Sequence, residues 1–204
     1  MNNDTKYVKY GKLLSGLIHN LNTPLMGLSG RVELLQMKFD DEKSFNQINT
    51  QLDKINHMLL ATAYLLDKDN CDRDLEIDLK AFLENYFSFL YTDMRFKHQI
   101  EKELNFEPFS LSINASDLLN CLHTIVDYIL NYIDDKTTLI VNNTTIENKP
   151  VINITLQLNS EINKDLNIEK CLNENLSDDT LKKFLVSSTF GENNISITML
   201  IDRT

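Results

Sequence analysis

Between Tyr10 and Leu35 apolar residues recur at every third or fourth position: Tyr10, Leu14, Leu17, Leu21, Leu25, Leu28, Val32 and Leu35. The same spacing returns at Ile48, Leu52, Ile55, Leu59, Thr62 and Leu66. Such a period places one apolar stripe along each of two helices, predicted over residues 5–38 and 45–67, with the charged stretch 39–44 as the break between them. Two helices with one stripe each form a hairpin that leaves much apolar surface uncovered. Two such hairpins from separate chains cover it as a four-helix bundle, so a homodimer is expected.

The remainder of the 204 residues reads differently. Residues 67–74 are charged, lack periodicity and have little to bury, which marks a linker; the chain divides into 1–70 and 71–204, with structure resuming near Glu76. Within the second part the pattern predicts a helix over 79–95, strands at 100–104 and 109–113, and a helix over 116–133. Strands at 138–143 and 151–158, a helix over 178–187 and a last strand at 194–201 complete it. Lys136-Thr137 and Glu147-Asn148-Lys149-Pro150 supply turn chemistry. The fold class is therefore α+β: a long helical hairpin followed by a sandwich with helices on one face of a mixed sheet.

Composition narrows the function. A hydrophobic content of 42% suffices for a core without staples, and the three cysteines, Cys71, Cys121 and Cys171, are odd in number, far apart and without nearby histidines at metal-ligand spacings, so neither a disulfide framework nor a zinc site is indicated. No run of roughly 18 apolar residues occurs, and Met1-Asn2-Asn3-Asp4 lacks the basic start of a signal peptide, so a cytoplasmic location is expected, with no membrane association. The formal net charge of -10 and the lack of a basic cluster argue against nucleic acid. Protein partners are expected instead.

One histidine stands out. At about 100° per residue the first stripe centres near Leu21 and Leu28, which puts His19 on the opposite, solvent-facing side. Thr23 follows one turn later on that side, and Ser15, Gly16, Gly27 and Gly30 surround it with small side chains. Each glycine inside a helix costs about 0.5–1 kcal/mol relative to alanine, so their grouping suggests a face that another protein approaches closely; the plain alternative is that they loosen the helix or pack on the second domain. Pro24 removes a backbone hydrogen bond in mid-helix at a cost of about 3 kcal/mol or more, which suggests a shaped site. A helix ending near Asn22 and restarting at Pro24 would explain it otherwise, but the unbroken period from Leu14 to Leu35 favours one bent helix. His57 is the competing histidine and lacks a Pro-Leu neighbour; His98 and His123 read as structural.

The residues around His19 resemble the dimerisation and phosphotransfer domain of two-component histidine kinases. That family's motif is a histidine, an acidic residue, two variable residues, Thr or Asn, and Pro-Leu; His19, Thr23, Pro24 and Leu25 match it, and Asn20 stands at the acidic position. The segment Leu52-Asp53-Lys54-Ile55-Asn56-His57-Met58-Leu59 looks like the paired helix of the family's hairpin, and the order of elements beyond it is similar to the kinase ATP-binding domain. The resemblance implies that His19 accepts a phosphoryl group, that Thr23 and Asn20 assist, and that Ser15, Gly16, Asn22, Met26, Gly27 and Gly30 form the face that meets a response-regulator receiver domain.

Two departures redirect this expectation. Asn20 can hydrogen-bond but cannot serve as a base at neutral pH, so self-phosphorylation is not expected. The helix that should carry the family's paired asparagines reads Leu122-His123-Thr124-Ile125-Val126-Asp127-Tyr128-Ile129, with Asn131 too late, and the expected Asp-x-Gly-x-Gly turn falls at Asn159-Ser160-Glu161-Ile162-Asn163, where no glycine occurs. Of the 5 glycines, four lie in the first helix and only Gly191 in the remainder, leaving little for a phosphate cradle or a hinged lid. The combination resembles the ChpT-type histidine phosphotransferases: a kinase-like dimer with a degenerate ATP-binding domain that relays phosphate between receivers, with no cofactor of its own and Mg2+ supplied by the receiver. A non-catalytic pseudokinase adaptor, a divergent kinase and a receiver phosphatase using Thr23 are the alternatives.

Overall fold

A computed structural model describes residues 17, 20–21, 23–28, 30–31, 34–35, 42–69, 73–130, 137–158, 167–191 and 193–201. Every described residue between 17 and 35 is helical, and we label that segment α1. Helix α2, Glu42–Asp69, has 28 residues and exceeds its predicted span at both ends. It runs into the stretch expected as linker, with Lys68 in its last turn, where a cation suits the exposed carbonyls.

An α+β unit follows. Strand β1 (Leu75–Asp78), which was not predicted, pairs antiparallel with β3 (Ser110–Ile113) in a separate two-stranded sheet. Between them lie α3 (Leu79–Leu90), α4 (Met94–His98) and β2 (Ile100–Asn105). The single helix predicted over 79–95 is thus two. Asp93 accepts from the backbone N–H groups of Arg95 and Phe96 and so starts a new helix just after α3 has closed on Tyr91. Asp78 caps α3 in the same way.

Helix α5 (Ala115–Leu130) precedes the hairpin β4 (Thr137–Ile146) and β5 (Lys149–Gln157), joined through Glu147 and Asn148. Both turn residues have positive φ, 50° and 61°, as a two-residue hairpin turn of the right twist requires. Pro150, expected in the turn, lies within β5. Then come α6 (Ile168–Asn175), α7 (Asp178–Leu181), β6 (Phe184–Phe190) and β7 (Asn194–Ile201). The five-stranded sheet has the order β2-β4-β5-β7-β6; β2 and β4 run parallel and every other neighbouring pair antiparallel.

Two expectations fail in this region. Helix α6 was not foreseen, although Asn167 caps it and Ile168 and Leu172 bury one face at four-residue spacing. The helix predicted over 178–187 stops at Leu181. Beyond it Phe184, Val186 and the residues between pair with β7, and the β-branched and aromatic side chains satisfy a period of two as well as they would a helical one.

Strand burial alternates, with Ile195, Ile197, Met199 and Ile201 of β7 buried and the residues between them half-buried, so one face of the sheet carries the helices. The core joins that face to Phe82, Tyr86, Phe87 and Leu90 of α3, Phe96 of α4, and Leu118, Leu122 and Ile125 of α5. Phe87 stacks on Phe106 at 5.8 Å and meets Tyr86 edge-on at 5.2 Å, an arrangement that adds to simple area burial. Helix α2 packs along α3 and reaches α5. Leu65 enters the core, Tyr64 lies edge-on to Phe82 at 6.5 Å, and Ser116 donates to Asp69 at 2.7 Å. Among the described residues no helix is long and apolar enough to cross a membrane.

Candidate functional site

His19, Ser15, Gly16 and Asn22 lie outside the described residues. Their immediate neighbours are described. Asn20 is buried, at 2% exposure, and its amide is committed in both directions: Nδ2 donates to the Tyr91 carbonyl at 2.5 Å and Oδ1 accepts from Lys97 Nζ at 2.8 Å. Both partners belong to the stretch running from the end of α3 into α4. Leu17 is also buried, and so is Pro24. One side of α1 therefore rests on the rest of the chain.

The other side is open. Thr23, Leu25, Met26 and Gly27 are exposed, Met26 at 75%, and Gly30 is half-buried. A methyl group placed on Gly27 or Gly30 would meet nothing within 4 Å, so among the described residues no close packing within the chain demands glycine at either position. Leu34 of α1 and Phe45, Leu52, Leu59 and Leu60 of α2 are exposed as well. Apolar side chains in such number along two helices constitute an uncovered apolar surface.

The other three histidines lie elsewhere. His57 is exposed on α2, with Nε2 3.1 Å from Ser88 Oγ of α3. His98 is exposed at the end of α4, and His123 lies edge-on to Tyr86 at 6.5 Å.

Helix α5 is the element that would carry a nucleotide-binding box, and the chain's own groups occupy both ends of it. Near its start, Asp117 accepts from Lys183 Nζ at 2.6 Å and from Thr180 Oγ1 at 2.7 Å. The bond to Asp117 outweighs burial and raises the Lys183 pKa. Near its end, the Tyr128 hydroxyl accepts the Asn167 N–H at 2.8 Å, and α6 buries Ile168 and Leu172 against the same core. Arg95 bridges Asp93 at 3.0 Å and Asp127 at 3.5 Å, tying α4 to α5. Asn131 and the turn expected at 159–163 lie outside the described residues. Among the described residues, no three His, Cys, Asp or Glu side chains gather as they would around a metal ion. Cys121 is buried, with Sγ 3.4 Å from Met199 Sδ, and burial pushes its thiol up to about 12, which leaves it inert.

Sequence reasoning singled out Thr23, Pro24 and Asn20, and it missed Tyr91, Lys97 and Ser88, which meet α1 and α2 from the second part of the chain. No local pattern could have revealed them.

No protein-family model and no curated protein matches the chain. Solved structures do. The histidine kinase domain of the blue-light activated histidine kinase EL346 from Erythrobacter litoralis is 10% identical, with 85% of this chain and 94% of that one covered and a TM-score of 0.53. Histidine kinase ThkA in complex with response regulator protein TrrA is 12% identical over the whole of this chain and 64% of that one, with a TM-score of 0.52. A structure described as a bacterial phosphotransferase is 12% identical over 93% and 94% of the two chains, with a TM-score of 0.51. The chain has a histidine-kinase-like fold, with the mixed-sheet α+β unit matching the kinase ATPase-like domain.

Proposed function

We propose that this protein is a histidine phosphotransferase that relays a phosphoryl group between response-regulator receiver domains through His19, without drawing on ATP of its own. The observation that carries the reading is the exposure of Thr23 on a helix of a histidine-kinase-like fold. Residues four apart share a helix face, so the exposed Thr23 marks the side on which His19 would stand. Met26 and Gly27 extend that face with room for a partner to come close.

In the proposed transfer a lone pair on the His19 imidazole attacks the phosphorus of a receiver's aspartyl phosphate. The P–O bond to the aspartate breaks and its electron pair returns to the carboxylate. In-line positioning and charge neutralisation supply most of the catalysis in such transfers, and the receiver's own Mg2+ would provide the second. Reversal onto another receiver completes the relay. Thr23 would hydrogen-bond the phosphoryl group. Asn20, as an amide, supports the absence of a self-phosphorylating base, and its bonds to Tyr91 and Lys97 assign it the further task of holding α1 in place.

Two further features support the parts of the proposal that concern ATP and assembly. Asp117, Lys183, Thr180 and Tyr128 satisfy one another or α6 along α5, where a nucleotide would need open polar groups. The exposed leucines of α1 and α2 provide the surface through which two hairpins would assemble as a four-helix bundle.

The test is phosphotransfer from a radiolabelled receiver. Label should reach the parent chain as an acid-labile, base-stable phosphohistidine and should not reach His19→Ala; a labelled His19→Ala chain sinks the relay. Calorimetry with Mg-ATP should give no binding heat at about 1 mM, a concentration that would reveal even the weakest physiological affinity. Binding of a receiver without labelling would instead favour the adaptor reading.

A further inference from the structure

A cavity of about 570 Å³ separates α1 and α2 from α3 and α4. Its volume falls within the roughly 300–1,000 Å³ typical of small-molecule sites. Pro24, Met58 and Tyr91 give it apolar walls, and Lys54, Lys97 and His57 bring nitrogen groups to it. The charge balance there is the reverse of the chain's. Asp and Glu number 30 against 20 Lys and Arg overall, yet the described lining contains two lysines and a histidine and no carboxylate.

These nitrogen groups come from two elements, Lys54 and His57 from α2 and Lys97 from α4. Lys97 Nζ spends one of its three donors on Asn20 Oδ1, and Asn20 is itself fixed to the Tyr91 carbonyl, so the ammonium is positioned with donors to spare. His57 is steadied by Ser88. Lys54 is exposed and has no carboxylate partner among the described residues. A solvated cation at the rim of an apolar hollow suits an anionic head group whose apolar body fills the space behind it.

We propose that this cavity binds a small organic anion, with its charged head at Lys54 and Lys97 and its apolar body against Met58, Pro24 and Tyr91. Thr23 and Pro24 also line the cavity, so an occupant would bear on the segment that carries His19. Binding there does not depend on the relay, because it is read without a receiver or a phosphoryl donor.

The experiment is titration calorimetry of the full chain with 2-naphthyl phosphate, 2-naphthoate and the neutral 2-naphthol. One anion should bind per chain, roughly fivefold or more tighter than 2-naphthol, and Lys54→Gln should erase most of that preference without moving the thermal midpoint. The tighter of the two anions identifies the head group as phosphate or carboxylate. Met58→Trp, which narrows the cavity, should weaken all three probes. The proposal fails if neither anion binds at about 1 mM, if 2-naphthol binds as tightly as the anions, or if Lys54→Gln retains the preference.

Discussion

Asn20 illustrates how one residue can serve structure while sitting beside a reactive position. It takes the place that an acidic residue holds in the kinase motif, and it is almost wholly buried, with a backbone carbonyl and a lysine as partners. An aspartate could accept from Lys97 but could not donate to the Tyr91 carbonyl, so the amide suits both contacts where a carboxylate suits one. Removing it leaves a part-buried carbonyl and a lysine short of a partner, at a cost of about 1–3 kcal/mol. Asn20→Ala should accordingly lower the thermal midpoint in a melting experiment, and Asn20→Asp should fall between Ala and the parent. Equal stability of Asn20→Ala and the parent would remove Asn20 from its anchoring role.

At the scale of elements, caps decide where helices start and stop. Asp93 ends any continuation of α3 by capping α4, and its pKa reflects the balance of forces there. Burial alone would raise it, but the Arg95 side chain and the backbone N–H groups of Phe96 and Arg95 together prevail and lower it. A carboxyl lowered in the folded state stabilises the fold above its unfolded value of about 3.9, and that contribution is lost as the pH falls through the lower folded value. Asp93→Ala should therefore cost about 0.5–2 kcal/mol at neutral pH. The gap between parent and variant should close as denaturation is followed from pH 5 downward past about 3.9. A gap that persists unchanged at the acid end would place the effect elsewhere. The same logic explains the mistaken helix over 178–187. Ser177 starts α7 properly, but the pairing of β6 with β7 takes over after one turn because it buries Phe184 and satisfies the backbone of the whole segment.

For the whole molecule, the uncovered leucines of α1 and α2 set the expectation. Leu52 and Leu59 are seven residues apart on one face of α2 and are 42% and 47% exposed. In the proposed homodimer a glutamate at such a position would be buried in the bundle without a partner, a change that costs several kcal/mol. Leu59→Glu should shift the mass measured by light scattering from dimer to monomer while leaving the circular dichroism of the α+β unit intact. A parent chain that is monomeric at all concentrations would exclude the bundle.

How much of this was legible beforehand depends on the range of the interactions. The helical periods, the last strand and the mixed-sheet α+β class follow from spacing along the chain, since side-chain direction repeats every 3.6 or 2 residues whatever the fold. Thr23 and Pro24 were likewise readable from a local motif. Strand β1, the choice of strand over helix at β6, and the bonds joining α1 and α2 to α3 and α4 were not. Those bonds link residues 31, 71 and 77 positions apart, and no window of sequence contains both ends. The sequence by itself determined which segments are amphipathic and which residue types flank His19. Only the tertiary structure decided that Asn20 is an anchor, that α5 is closed by Lys183 and α6, and that a cation-lined cavity lies beneath Thr23. The reason is physical: periodicity constrains one element at a time, whereas burial, pairing and cavities are properties of elements brought together.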